Sequence, residues 1–170
     1  MSRALIAPSL FAAVLLAGAC RGAPATSGDL PPDHAVVVAT VDGDTVDVDV
    51  GGGRVERIRL LGIDTPETVD PDRPVECGGP EASALLAQLL PAGTVVRLER
   101  DTEARDRYGR LLAYVFLDDG TFVNEAIAGA GAAELLSIPP NGAYDERLAA
   151  AEAAARAAGA GIWGACPRAP

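Results

Sequence analysis

The alternation of apolar and polar positions along the chain predicts five β-strands. Residues 45–50 (T-V-D-V-D-V) alternate strictly, which places Val46 and Val48 towards a core and Asp47 and Asp49 towards solvent. The three glycines at 51–53 are typical of a hairpin turn. The predicted strands cover residues 35–41, 45–50, 54–63, 94–100 and 110–117.

Apolar positions spaced three and four residues apart predict three helices, over residues 80–90, 123–130 and 144–158. Pro80 and Glu81 stand at the start of the first, as expected for a helix N-terminus. The order is three strands, one helix, two strands and two helices. This order favours an α+β fold in which a five-stranded OB-fold barrel carries three helices.

The first residues predict export. Residues 1–19 combine an early arginine, a short apolar run and small residues at the end, which indicates a signal peptide. Two interpretations remain open: cleavage after an A-x-A site at residues 17–19, or a lipobox in which Cys20 is lipidated. A cysteine directly at the cut favours the lipobox. The protein is then a cell-surface lipoprotein or a secreted protein, with membrane contact only through the lipid.

Residues 20–34 are rich in Pro, Gly and Asp and are typical of a flexible tether, so the globular domain is expected over residues 35–166. If Cys20 carries a lipid, Cys77 and Cys166 remain as a pair in an oxidising compartment. We predict a disulfide between them, stabilising the fold by ~4–5 kcal/mol in the chain-entropy description. The alternative is two free, buried thiols.

Composition and charge restrict the chemistry. The net charge is −10, and all 14 basic residues are arginines, so anion binding depends on guanidinium groups. An acidic protein is poorly suited to loose, salt-driven adhesion to nucleic acid. The chain has one histidine, His34, in a polar lead-in. Ser-His or Cys-His nucleophilic catalysis and a histidine-built zinc centre are therefore disfavoured.

Two acidic segments predict a metal site at the barrel rim. Asp44 shares the inward face of its strand with Val46, and Asp64 ends the predicted third strand. Carboxylate, carbonyl and water oxygens suit a hard cation, and an open site favours calcium over magnesium. The alternative for Asp42 to Asp44 is a plain turn, because Asp and Gly are common turn residues.

Arg59 and Arg110 are candidate phosphate ligands, since forked donors stabilise the charge that develops in phosphoryl transfer. Glu67 is the candidate general base for an attacking water. All three side chains have a simpler interpretation as solvent-facing surface groups. Arg59 and Asp64 are five residues apart and would face opposite ways in an ideal strand. A bulge or sharp twist near Gly62 is therefore required to bring them together.

Five motifs, in order, resemble the staphylococcal nuclease (thermonuclease) family: D-G-D-T at 42–45, R-L-L-G-I-D-T-P-E-T at 59–68, G-P-E-A-S at 79–83, D-R-Y-G-R-L-L-A-Y at 106–114 and V-N-E-A at 123–126. The resemblance spans residues 36–163. It implies an OB-fold barrel with three helices and an endonuclease that hydrolyses DNA and RNA with calcium. The implied products carry 3′-phosphate ends.

The resemblance also implies residue roles. The implied metal ligands are Asp44, Asp64 and the Thr65 carbonyl, with Asp42 in the outer shell; the implied catalytic residues are Arg59, Glu67 and Arg110; and Tyr108 and Arg107 would bind substrate. Arg107 replaces a lysine of the family archetype. Ser137 and Pro139 stand where the archetype has two tyrosines near the base. Because stacking is worth about 1–3 kcal/mol per base, weaker substrate affinity is expected.

Two other functions share the same residues. One is a non-catalytic OB module that binds nucleic acid or a protein partner, although inactive copies are expected to lose the carboxylates or the arginines. The other is a phosphodiesterase for small substrates. The sequence predicts a monomer and does not predict a preference between DNA and RNA.

Overall fold

A computed structural model describes residues 30–167, which form seven strands and four helices. The elements are β1 (His34–Asp42), β2 (Thr45–Asp49), β3 (Val55–Leu60), β4 (Gly62–Asp64), α1 (Gly79–Leu89), β5 (Val95–Glu99), β6 (Leu111–Leu117), α2 (Val123–Gly129), β7 (Glu134–Leu136), α3 (Asp145–Ala158) and α4 (Ile162–Ala165).

Five strands close into a barrel in the order β1-β2-β3-β6-β5, which confirms the predicted OB-fold architecture. Neighbouring strands are antiparallel except β3 and β6, which run parallel and close the barrel. Val46 and Val48 are fully buried, as their alternation predicts. The barrel core continues through Ile58, Val96 and Val115, which are also fully buried.

The predicted third strand is two strands in the structure. β3 ends at Leu60, and β4 begins at Gly62, whose φ of 76° reverses the local direction of the chain. A Cβ at this position would lie 2.3 Å from Leu148 Cδ1, so only glycine fits without repacking. β4 pairs with β7, a three-residue strand that the hydrophobic pattern does not predict.

The three predicted helices are present, and a short fourth helix follows them. α3 ends at Gly159, which adopts the left-handed conformation common after a helix C-terminus. α2 and α3 pack together, and Arg147 of α3 forms an ion pair with Glu125 of α2. α2 packs on β6, and Phe122, Val123 and Ile127 are buried in the core.

The predicted disulfide joins Cys77, just before α1, to Cys166, just after α4. No helix within residues 30–167 is long and apolar enough to cross a membrane. The predicted signal peptide, most of the predicted tether and the lipidation of Cys20 lie outside the described residues and stay predictions.

Candidate active site

One open cavity of about 650 Å³ lies at the barrel rim, where β1 ends and β2 begins. Every residue that the sequence analysis assigns to metal, catalysis or substrate lines it: Asp42, Asp44, Arg59, Asp64, Thr65, Glu67, Arg107, Tyr108 and Arg110. The fold thus brings together groups that are up to 68 positions apart, from Asp42 to Arg110. Their individual roles stay predictions.

Arg59 connects the two candidate metal carboxylates. Its Nη2 lies 2.7 Å from Asp64 Oδ1 and 3.1 Å from Asp44 Oδ2. Its Nη1 donates hydrogen bonds of 2.7 Å to the carbonyl oxygens of Leu60 and Ile63. These carbonyls flank the turn at Gly62, so the guanidinium also fixes the turn that brings Asp64 back to it. The required twist is therefore present and tied to the candidate site.

Asp44 is held from several directions. Its Oδ2 accepts hydrogen bonds from the backbone N–H of Thr65 (3.0 Å) and from Thr65 Oγ1 (3.2 Å), and its Oδ1 accepts one from Thr45 Oγ1 (2.9 Å). Asp44, Thr45 and Thr65 are buried. Gly43 packs so tightly that a Cβ there would lie 2.7 Å from Thr65 Oγ1. This part of the cavity has little freedom to move.

Asp64 differs from Asp44 in its contact with solvent, because its side chain is 58% exposed. The surrounding protein atoms raise its pKa above the usual aspartate value, and the nearby Asp44 carboxylate raises it further. Arg59 opposes both effects by charge and hydrogen bond, without cancelling them. A second cation beside these carboxylates would favour their charged forms.

Glu67 begins the loop after β4. Its Oε1 accepts hydrogen bonds from the backbone N–H groups of Thr68 (2.8 Å), Val69 (2.7 Å) and Asp70 (3.2 Å). Oε2 accepts no hydrogen bond from residues 30–167 in this structure. The carboxylate is thus oriented through one oxygen while the other is available to a water molecule in the cavity.

Asp42 fastens the cavity to α1. Its Oδ1 accepts hydrogen bonds from Thr68 Oγ1 (2.6 Å), Ser83 Oγ (3.0 Å) and the Gly43 backbone N–H (2.8 Å). Ser83 belongs to α1, and Thr68 belongs to the loop that follows Glu67. These contacts explain the burial of Asp42, and its outer-shell role at a metal stays a prediction.

Arg110 is oriented by Asp106, a residue to which the sequence analysis gave no role. Arg110 Nε donates to Asp106 Oδ2 at 2.7 Å, and Asp106 Oδ1 accepts from the backbone N–H of Arg110 and Tyr108, each at 2.9 Å. Burial raises the pKa of Asp106, but the hydrogen bonds and charge of Arg110 lower it more, and the net pKa is below the usual value. The four-residue spacing within D-R-Y-G-R is the signal that could have identified this pair.

Tyr108 projects into solvent at the cavity edge, with 69% of its surface exposed. The guanidinium of Arg107 lies 4.7 Å from its ring centroid, and Arg107 Nη2 donates to the phenol oxygen at 2.6 Å. The Arg110 guanidinium lies 5.5 Å from the same centroid. Two cations and an aromatic ring therefore form one surface, which suits a phosphate and its neighbouring nucleotide.

The chain shares extensive sequence with known nucleases. Residues 57–165 match the family described as Staphylococcal nuclease homologue. Over 127 residues the chain is 42% identical to Thermonuclease of Staphylococcus hyicus, covering 75% of this chain and 73% of that protein. Over 138 residues it is 41% identical to Thermonuclease of Staphylococcus intermedius, covering 81% and 80%. Endonuclease YncB of Bacillus subtilis (strain 168) is 37% identical over 125 residues, covering 72% and 58%.

The chain belongs to the staphylococcal nuclease family. This nuclease is accordingly an enzyme that hydrolyses the phosphodiester bonds of nucleic acid. The cavity at the barrel rim, where the family's motifs converge, is its candidate active site.

The staphylococcal nuclease family is metal-dependent, and the cavity provides oxygen ligands for a hard cation. Among the described residues that line it, none is His or Cys. Asp64 Oδ2 accepts no hydrogen bond from residues 30–167 and faces solvent. Within that range no three His, Cys, Asp or Glu side chains cluster at metal-binding spacing. The roles of Asp44 and Asp64 as ligands of such a cation stay predictions.

The cavity wall near β7 differs from the family archetype. Leu136 and Ile138 line the cavity and are exposed, so this nuclease presents aliphatic side chains there. Ser137 instead donates a short hydrogen bond to the Asp145 carboxylate. Leu136 and Ile138 can still make apolar contact with a nucleotide base, but they offer no aromatic ring for it to stack on. Weaker substrate affinity stays a prediction.

Proposed function

We propose that this nuclease is exported, requires calcium, and hydrolyses DNA and RNA to products with 3′-phosphate ends. The observation that supports it most is the meeting of two carboxylates, two arginines and a third carboxylate in one cavity. A chain that had lost catalysis would be expected to lack at least one of these groups.

The arginines are proposed to bind the phosphate. Arg59 stands at the end of β3 and Arg110 just before β6, the two strands that pair in parallel, so their guanidinium groups enter the cavity from neighbouring strands. Both are oriented by carboxylates before substrate arrives. Donors fixed in advance stabilise the developing charge without reorganising during the reaction.

Glu67 is proposed to take the proton from the attacking water at Oε2. Its Oε1 is occupied by the three backbone N–H groups, so the carboxylate cannot turn freely. Since histidine is absent from the cavity lining, a carboxylate is the available base. Calcium held by Asp44 and Asp64 would supply Lewis-acid polarisation of the phosphate.

A non-catalytic OB module, which the sequence alone left open, disagrees with membership of a family of nucleases. The enzyme is expected to cleave single-stranded DNA in calcium and to stop with chelator. The proposed roles are tested by digesting single-stranded DNA and RNA with the parent, Glu67→Ser and Arg110→Ala. Arg156→Ala is the matched control, because Arg156 lies on α3 and does not line the cavity.

We expect the parent to cleave in calcium. Both site variants should lose about 10²-fold or more in kcat, and Arg156→Ala should keep the parental activity. Chelator-resistant cleavage would contradict the calcium requirement. End-labelling of the products before and after phosphatase treatment tests the 3′-phosphate. Cell fractionation after expression of the full chain, with Cys20→Ala as the comparison, tests export and the lipid.

A further inference from the structure

The loop between Glu67 and α1 returns to its own starting point. The Glu67 backbone N–H donates to Glu76 Oε2 at 3.0 Å, and the Glu76 backbone N–H donates to the Glu67 carbonyl at 2.9 Å. Arg73 forms an ion pair with the other carboxylate oxygen of Glu76. Two hydrogen bonds between Glu67 and Glu76 therefore hold the two ends of the 67–76 loop together.

The end of this loop is covalently fixed. Cys77 follows Glu76 directly and is bonded to Cys166. Gly78 packs against α4 so closely that a Cβ there would lie 2.4 Å from Ile162 Cγ2. The Ile162 backbone N–H donates to the Gly131 carbonyl at 2.9 Å, which attaches α4 to the segment after α2. The loop is thus anchored to the helical layer next to Glu76.

Apart from the hydrogen bond from Thr68 Oγ1 to Asp42 Oδ1, few contacts fasten the middle of the loop. Its apolar side chains Val69 and Val75 are exposed, so it buries few apolar atoms of its own. The three N–H groups that orient Glu67 Oε1 belong to its first residues. The direction of the Glu67 carboxylate is therefore set by the conformation of the loop. That conformation depends on the Thr68–Asp42 hydrogen bond at its start and on Glu76 and the disulfide at its end.

We propose that Glu76 and the Cys77–Cys166 disulfide position the Glu67 carboxylate, so that turnover depends on the oxidation state of the disulfide. The inference rests on the proposed role of Glu67. Reduction by a dithiol breaks the S–S bond, adds two electrons and two protons, and leaves two thiols while the dithiol becomes a disulfide. The enzyme then has lower turnover in a reducing compartment than after oxidation. Glu76 is a positioning residue, since it acts through Glu67.

The test compares kcat and KM for single-stranded DNA, in calcium, for the oxidised full chain, its dithiothreitol-reduced form, Cys77→Ser/Cys166→Ser and Glu76→Ala. We expect kcat to fall about tenfold or more in each altered form, with KM within about twofold, because a misplaced group slows chemistry more than binding. Glu76→Gln keeps an acceptor for the Glu67 N–H and should recover part of the loss.

General destabilisation is separated by a matched control. Val96→Ala removes methyl groups from a fully buried site on β5, away from the cavity, and should lower the stability of the fold. Under conditions in which every variant is folded, it should keep the parental kcat. Folding of each variant is checked by urea denaturation under the assay conditions. A double-serine variant with kcat within about twofold of the parent would overturn the proposal.

A double-mutant cycle separates this inference from the proposed function. In a Glu67→Gln background, removing the disulfide should cost little further kcat, because the group it positions is already inactive. An undiminished loss in that background would show that the disulfide acts elsewhere, and would reject the inference. Parental activity in Glu67→Gln itself would instead reject the role of Glu67 in the proposed function.

Discussion

The cavity has two walls that are built differently. The barrel wall, formed by Asp44, Arg59 and Thr65, is buried, and its members contact one another across up to 21 positions of the chain. The loop wall, formed by residues 106–110, is largely exposed, and its hydrogen bonds are local. One wall therefore belongs to the core of the fold, whereas the other can change with less effect on stability.

The barrel wall should give the largest effect. Arg59→Ala leaves Asp44 and Asp64 without their shared guanidinium and removes the hydrogen bonds of Nη1 to the Leu60 and Ile63 carbonyls. We expect about a 10³-fold fall in kcat and a loss of ~3 kcal/mol in the free energy of unfolding, because the Arg59 side chain is only 11% exposed. Steady-state kinetics and urea denaturation measure the two quantities.

Arg59→Lys is the companion variant, because one ammonium cannot replace the forked contacts of the guanidinium. It should keep part of the stability and little of the activity. An unchanged unfolding free energy in Arg59→Ala would show that the barrel wall is not part of the core.

The loop wall should separate activity from stability. Arg110→Ala is expected to lower kcat by about 10²-fold while changing the unfolding free energy by less than ~1 kcal/mol, since its side chain is 31% exposed and its ion pair is local. Asp106→Asn, which weakens the orientation of Arg110, should cause a smaller kcat loss. A stability loss in Arg110→Ala equal to that of Arg59→Ala would remove the distinction between the walls.

A smaller effect is expected at the edge of the loop wall. Tyr108→Leu removes the ring beside the Arg107 and Arg110 guanidinium groups and should raise KM about threefold, the size of one exposed cation–π contact. Tyr108→Phe keeps the ring and is the control. If Tyr108→Phe and Tyr108→Leu raise KM equally, the phenol oxygen contributes to substrate binding and the ring does not.

The contact between Asp101, just after β5, and the segment before α3 is predicted to weaken in acid. Asp101 accepts hydrogen bonds from the backbone N–H groups of Ala143 and Gly142. The Ala143 N–H is the main cause that lowers the Asp101 pKa to about 2. Because this pKa lies below the unfolded value, the contribution to stability is present above about pH 4 and is lost as pH falls through about 2.

Asp101→Asn provides the measurement. The difference in unfolding free energy between the parent and Asp101→Asn, from urea denaturation, should shrink as pH falls from about 4 to about 2. A difference that stays constant across this interval would contradict the prediction.

Sequence patterns were sufficient for the barrel, whereas the roles of the cavity residues stay predictions. The alternation at 45–50 fixes which side chains face inward. The D-R-Y-G-R motif displays a carboxylate four residues before Arg110, but Asp106 was given no role from the sequence. The alternation and the four-residue spacing both involve residues that are close in sequence, so a short sequence window contains them. The family resemblance then provided the roles, which single residues do not reveal.

Long-range pairing could not be predicted in the same way. β7 has three residues, and its partner β4 lies about seventy positions earlier, so no periodic pattern marks either. The return of Glu76 to Glu67 also depends on the path of an irregular loop. The five-residue spacing of Arg59 and Asp64 predicts a twist near Gly62 but not the Arg59 hydrogen bonds that hold it.

The disulfide has a further consequence for resistance to proteolysis. The bond between Cys77 and Cys166 encloses the loop wall in a covalent ring that leaves the barrel wall outside. Exposed turns such as the one at Tyr108 and Gly109 are typical sites of protease attack. A single backbone cut there leaves both fragments joined, so the nicked protein remains one molecule until the cystine is reduced.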